Sequence, residues 1–445
     1  MANVILPSTL KNLTGGEREI AVDGATAGEI LGRLQELHPE LGGWVLDERG
    51  HIREHVKVFV GDRKAELGTP VRDGDSLHVI QAISGGSSGS ETEVLVGTRK
   101  GLVIVRGPRG GTMTVGKRQF PGQTVEFAVR DPRSGTYFAS VTHGQFGPRL
   151  FFTDDPEGEW RQAEGPAFPS DTDTAMTRIW VVEPGEEDGV LWAGVAPAAL
   201  FKSTDDGRSW SLNRPLWEVP NRAEWEGGLG GLCLHSICPW PGDPSRLAVA
   251  ISAAGVWLSD DGGDSWRTGI DGLVSRYLPE EARQDTFSFC VHNMRRVPSQ
   301  PDTLYMQFHG GVYRSDDAGE SWVEISAGLP ADFGFPIAVD PHDPDRAFVI
   351  PLRADEDRVT PDGRVRVFET RTRGASWQAL ENGLPQQDAH LTVRRQAFCQ
   401  DGRSPLGLYF GATSGELFGS VDGGASWSTI AERLPPILSV RAFSG

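Results

Sequence analysis

Gly85-Gly86 is a residue pair with a defined chemical use. Lacking Cβ atoms, a diglycine threads a narrow enzyme channel and brings its carboxylate against catalytic groups. That use needs a free Gly86 carboxylate, which here is in peptide linkage to Ser87. The sequence therefore predicts a precursor cut between Gly86 and Ser87, or a tag fixed to a cargo. A second set of reactive side chains lies downstream. Cys233-Leu234-His235 and Cys290-Val291-His292 repeat a Cys-x-His step whose two side chains share one side of a strand. With His309 they offer soft nitrogen and sulfur donors for Zn²⁺ or Cu. The plainer reading is packed thiols and hydrogen-bonded imidazoles. Cys238 and Cys399 read as core packing. Glu126 and Arg178 are the candidates for catalytic work, as an acid and a charge-stabilising cation.

The elements that must position the diglycine occupy the first 86 residues. Asn3-Val4-Ile5-Leu6 and Arg18–Val22 alternate as strands, and Asp23-Gly24 turns the chain. Thr26-Ala27-Gly28-Glu29 is a capping box that opens a helix. Ile30, Leu31, Leu34 and Leu37 follow at helical spacing, and His38-Pro39 ends it. Val56, Val58 and Val60 form a strand of period two, and Leu77, Val79 and Ile80 a last strand running into the diglycine. Leu67-Gly68-Thr69-Pro70, Asp73-Gly74-Asp75 and Gly85-Gly86 give this segment a resemblance to the ThiS/MoaD sulfur-carrier family. Leu6-Pro7-Ser8-Thr9-Leu10 and Thr14-Gly15-Gly16 resemble its CysO branch. The resemblance implies an α+β ubiquitin-like β-grasp fold and adenylation of Gly86 by an E1-like enzyme with ATP. It also implies conversion to a thiocarboxylate and delivery to a sulfur-accepting enzyme or target protein. Family members end at the second glycine, and this chain continues. Residues 87–92 complete a Gly/Ser stretch of the kind natural and engineered linkers share, open to a protease such as a JAMM-type metalloprotease.

Residues 93–445 repeat. Ser203-x-Asp205-x-Gly207-x-x-Trp210 recurs at Ser259, Ser315 and Ser420, with altered copies at Thr153 and Thr370. The six tryptophans stand 50 to 56 residues apart. Ser and Asp oxygens suit turn amides, Gly suits a positive φ, and Trp packs between sheets. The repeat resembles the Asp-box of sialidase-type (BNR) proteins and implies an all-β propeller. Six strand pairs start near Val125, Ile179, Leu234, Val291, Phe335 and Leu391. A seventh blade is expected where Ile437–Phe443 pairs with Val94–Thr98, closing the ring and leaving no open sheet edge.

Prolines after the inner strands align Glu126, Arg178, His235, His292 and Phe335 at one channel mouth. Second-strand ends add Arg99, Lys100, His143, His309 and Arg353, making this mouth the expected ligand site. Glycoside hydrolysis needs two carboxylates, and Asp171, Asp173, Glu224 and Glu226 in long loops are candidate partners for Glu126. A sialidase-like hydrolase with a β-grasp docking domain is thus one alternative, and a non-catalytic scaffold another.

Composition narrows the partners. The 445 residues carry a net charge of −18 without any Lys/Arg run, which argues against nucleic acid and anionic membrane. Nothing resembles a signal peptide, and no apolar stretch reaches the length of a span. Four scattered cysteines suit reduced thiols in the cytoplasm. A monomer is expected, with no cofactor beyond the ATP used by its activating enzyme and the metal considered above.

Overall fold

A computed structural model describes every residue except 7–9, 11–12, 16–18, 43–44, 48–49, 53–55, 62, 82–90, 229, 284–287 and 445. Gly85, Gly86 and Ser87 therefore lie outside the described residues. The chain divides into two units, Met1–Gly89 and Ser90–Gly445.

In the first unit the strands are β1 (Ala2–Ile5), β2 (Glu19–Val22), β3 (Val56–Val60), β4 (Arg63–Ala65) and β5 (Ser76–Gln81), with one helix, α1 (Ala27–Leu37). They form one sheet in the order β2-β1-β5-β3-β4. The central pair, β1 and β5, is parallel. Thr26 caps α1 by accepting the Glu29 amide at 3.3 Å. The reciprocal bond lands one residue early, because the Glu29 carboxylate accepts the Ala25 amide at 2.9 Å. Ala27, Ile30, Leu31 and Leu34 are buried against the sheet. Leu37 is 61% exposed, since the helix ends before its last turn reaches the core. β4, three residues long, is too short to show a period and was not expected.

In the second unit the described strands form five four-stranded sheets and one eight-stranded sheet. The latter is two four-stranded meanders joined by a single parallel pair, Gln396 with Ser439. One meander begins with the C-terminal strand Ile437–Ser444, antiparallel to Glu91–Thr98. Seven inner strands start at Thr124, Arg178, Cys233, Val291, Gly334, Val393 and Ile437. Each packs on the next, and the last packs on the first, so the β-propeller closes into a ring. Glu91 and Thr92 already pair within this ring, two residues ahead of the expected start at 93.

The repeated turns share one hydrogen-bond pattern. Ser203, Ser259, Ser315 and Ser420 each accept the amide of the glycine four residues on, at 2.8–2.9 Å. Each also donates to its Asp carboxylate at 2.7–2.8 Å. Gly207 has φ +74°, and a Cβ there would lie 2.4 Å from Phe138. Glycine is required on both counts. In the altered copy Thr372 replaces the aspartate and its hydroxyl accepts the Ser376 amide at 3.0 Å. Trp322 and Trp427 are buried between sheets, whereas Trp210 and Trp266 are half-buried.

Candidate functional site

A register break near the start of each inner strand builds the site. Pairing skips Glu126, Trp180, His235, His292 and Leu438. It also skips Phe335-Pro336 and residues 394–397. An unpaired bulge residue bends its strand and re-aims its side chain. Every one of these breaks but that at His235 puts at least one residue in the lining of a cavity of about 1120 Å³ at the end where the inner strands begin.

His235 is the exception. Its ring is wholly buried, with Nε2 2.8 Å from the Val291 carbonyl and Nδ1 3.1 Å from Ser236 Oγ. Burial, with Arg395 adding to it, pushes the imidazole down to about 3, so it stays neutral. Its backbone carbonyl accepts Gln396 Nε2 at 2.7 Å. Gln396 also accepts Arg295 at 2.9 Å and is bonded by Arg441. This network ties inner strands together across the hub. His235 is structural, and it corrects the expectation that it faces the mouth.

The acidic and basic groups are arranged in pairs, with a remainder. Glu126 forms an ion pair with Arg178, its Oε1 lying 3.1 Å from Nε. Burial raises its carboxyl pKa, and the charges of Arg178 and Arg99 oppose that rise. Asp355 holds Arg358 at 2.7 Å. Arg394 and Arg395 also face the cavity, yet neither has a carboxylate partner among the described residues. Arg395 is 8% exposed, its Nε has no hydrogen-bond partner, and its guanidinium lies 4.9 Å from the Phe335 ring centroid. Burial lowers the Arg394 pKa, and the charges of Arg358, Arg395, Arg99 and Arg178 lower it further. Unpaired guanidinium groups in a partly apolar cavity are anion receptors.

Cys290, His292 and His309 also meet here. One donor atom from each lies within 4.8 Å of the others. His309 donates its backbone N–H to the Cys290 carbonyl at 3.0 Å, which pins the second strand of this sheet to the first. The His292 Nδ1 lies 2.6 Å from the Gly334 carbonyl, a contact that places the proton on Nδ1 and leaves Nε2 as the free donor.

The other expected site residues divide between the cavity and positions outside it. Arg99 lines the cavity, but Lys100, beside it in the same two-residue hairpin turn, does not. His143 stacks on Phe146 at 4.7 Å and accepts the Gln145 amide at 3.1 Å. Arg353 is exposed and pairs with Asp357 at 3.2 Å. Cys233 is fully buried, and burial pushes its thiol up to about 11. Of the loop acids, Glu224 and Glu226 reach the cavity, while Asp171 pairs with Arg214 at 2.8 Å. The equivalent of Glu126 in the next sheet is Trp180, not Arg178, although both line the cavity. Sequence reasoning missed Tyr277, Asp355, Arg358, Arg394 and Arg395. Only the last two carried a signal, as a charged pair inside the apolar run Leu391–Phe398.

Residues 4–86 match the ThiS family. The sulfur carrier protein CysO of Mycobacterium tuberculosis is 27% identical over 89 residues, which are 19% of this chain and 96% of that protein. The structure of the Amycolatopsis orientalis BexX/CysO complex matches at 29% identity, covering 19% of this chain and all of that one, with a TM-score of 0.18. An ancestral GH74 enzyme matches at 18% identity and a TM-score of 0.46 over 72% of this chain, which spans 38% of that enzyme. No described helix is long and apolar enough to cross a membrane.

Proposed function

We propose, from the premise that residues 4–86 are a ThiS-family domain fused to a β-propeller, that this chain is the precursor of a sulfur carrier or ubiquitin-like protein. One observation carries the reading. The family match stops at Gly86, the second glycine, and the chain does not. Hydrolysis of the Gly86–Ser87 peptide bond by a JAMM-type metalloprotease frees the carboxylate. That carboxylate attacks the α-phosphorus of ATP in an E1-like enzyme, releasing pyrophosphate and forming an acyl-adenylate. A sulfur donor then displaces AMP and leaves a thiocarboxylate for a sulfur-accepting enzyme or target protein. The propeller serves as a binding module, with its arginine-lined cavity as the ligand site. The reactions take place in the cytoplasm.

The N-terminal unit has its own hydrophobic core, so a 1–86 segment can be tested alone. Offered to the host activating enzyme with ATP and a sulfur donor, it is expected to gain the mass of sulfur replacing oxygen. The full chain is expected to remain unchanged. Gly86→Ala adds a methyl group where the channel admits backbone, so the 1–86 variant should lose most of its activation while keeping its fold. Failure of the unmodified 1–86 segment to accept AMP or sulfur would contradict the reading.

A further inference from the structure

The propeller holds three soft donors that the carrier chemistry does not use. We infer that Cys290, His292 and His309 form a zinc site whose open coordination position takes a carboxylate ligand from the cavity. The comparison that carries this is internal to the molecule. His235 satisfies both ring nitrogens with protein oxygens, as a structural histidine does. His292 satisfies only Nδ1, and its Nε2 makes no hydrogen bond among the described residues. His309 has no side-chain hydrogen bond there, only the Asp355 carboxylate at 3.8 Å from Nε2.

The surroundings match what a zinc ligand set needs. A backbone carbonyl on Nδ1 fixes the tautomer and orientation of a ligating imidazole, and Gly334 supplies one to His292. The His309 ring is held by Tyr277 at 4.3 Å and Phe333 at 5.3 Å. Zinc bonds of about 2.0–2.3 Å set neighbouring donors roughly 3.5 Å apart, so atoms within 4.8 Å need to close by about an ångström. Three protein ligands leave one position open, as in sites that bind exogenous ligands. The wall around that position decides what enters. The cavity as a whole carries five arginines against four carboxylates, and Arg394 and Arg395 have no carboxylate partner among the described residues. With the zinc ion and the Cys290 thiolate included the formal balance stays positive, which favours an anion such as a carboxylate at the open position. Phe335, Trp180 and Leu278 give its apolar end a surface.

The test uses the full chain, purified without chelator. Equilibrium dialysis against Zn²⁺ should leave one ion per chain, and His292→Ala or His309→Ala should weaken binding by more than about 10-fold. His143→Ala, outside the cavity, should bind as the parent does. Co²⁺ in place of Zn²⁺ should show a thiolate charge-transfer band that Cys290→Ser abolishes. Acetate, the probe carboxylate, should perturb the Co²⁺ spectrum of the parent and not of Arg395→Met. Should a variant fail to fold, Zn²⁺ should still slow alkylation of Cys290 in the unaltered chain. No zinc uptake by the parent, or full uptake by the Cys290→Ser/His309→Ala variant, would overturn the site. An acetate-insensitive Co²⁺ spectrum would overturn the open position. None of these results depends on whether Gly86 is activated.

Discussion

A histidine or an aspartate in this propeller is defined by what its second atom touches. His235 and His292 occupy equivalent bulges, yet one is locked between carbonyl and hydroxyl and the other keeps a free nitrogen. The turn aspartates are defined in the same way. The Asp261 carboxyl is drawn down to about 2, first by the Ser265 hydroxyl, then by the Ser265 amide and the Ser259 hydroxyl. Its folded pKa lies below the unfolded value of about 3.9. The carboxylate therefore stabilises the fold above that value, and the contribution is lost as pH falls through about 2. Asp261→Asn should lower the melting temperature at neutral pH, and the gap to the parent should close in acid. A gap that stays constant down to about pH 2 would show that the carboxylate's charge is not involved. These turns were legible because Ser, Asp, Gly and Trp repeat at fixed offsets. The locking of His235 was not, because its partner Val291 is a backbone carbonyl 56 residues away.

Among the elements, the inner strands do most to shape the cavity. Their starts were legible to within about two residues from apolar runs and following prolines. Their register breaks were not, since a bulge is settled by the partner strand. That is why Arg178 was aligned where Trp180 belongs, and why Arg394 and Arg395 went unnoticed. The loops carrying Tyr277, Asp355 and Arg358 have no period to read. The closing strand was legible by subtraction, as an inner strand without a turn after it opposite an outer set lacking one. It supplies both the pairing for Glu91–Thr98 and the contact with the strand at Val393–Gln400. Removing residues 437–445 should reopen the ring and expose two sheet edges. The truncated chain is expected to lose its single cooperative unfolding transition and to self-associate. An unchanged melting temperature in a monomeric truncated protein would show that closure contributes nothing.

At the scale of the whole molecule, two units of different chemistry share one chain. The fold of the first was legible almost complete, because its strand order and helix cap are local patterns. The second was legible as a repeat, but its site depends on seven strands meeting at a hub. The cavity's five arginines against four carboxylates stand in contrast to the chain's net charge of −18. We propose that the peptide bond after Gly86 is cut in the cell. The direct measurement is the mass of every species of this chain recovered from its native cell. A fragment ending at Gly86 is expected, part of it carrying sulfur in place of one terminal oxygen, beside a propeller fragment beginning at Ser87. Recovery of the uncut chain alone, under conditions where the activating enzyme is present, would contradict it.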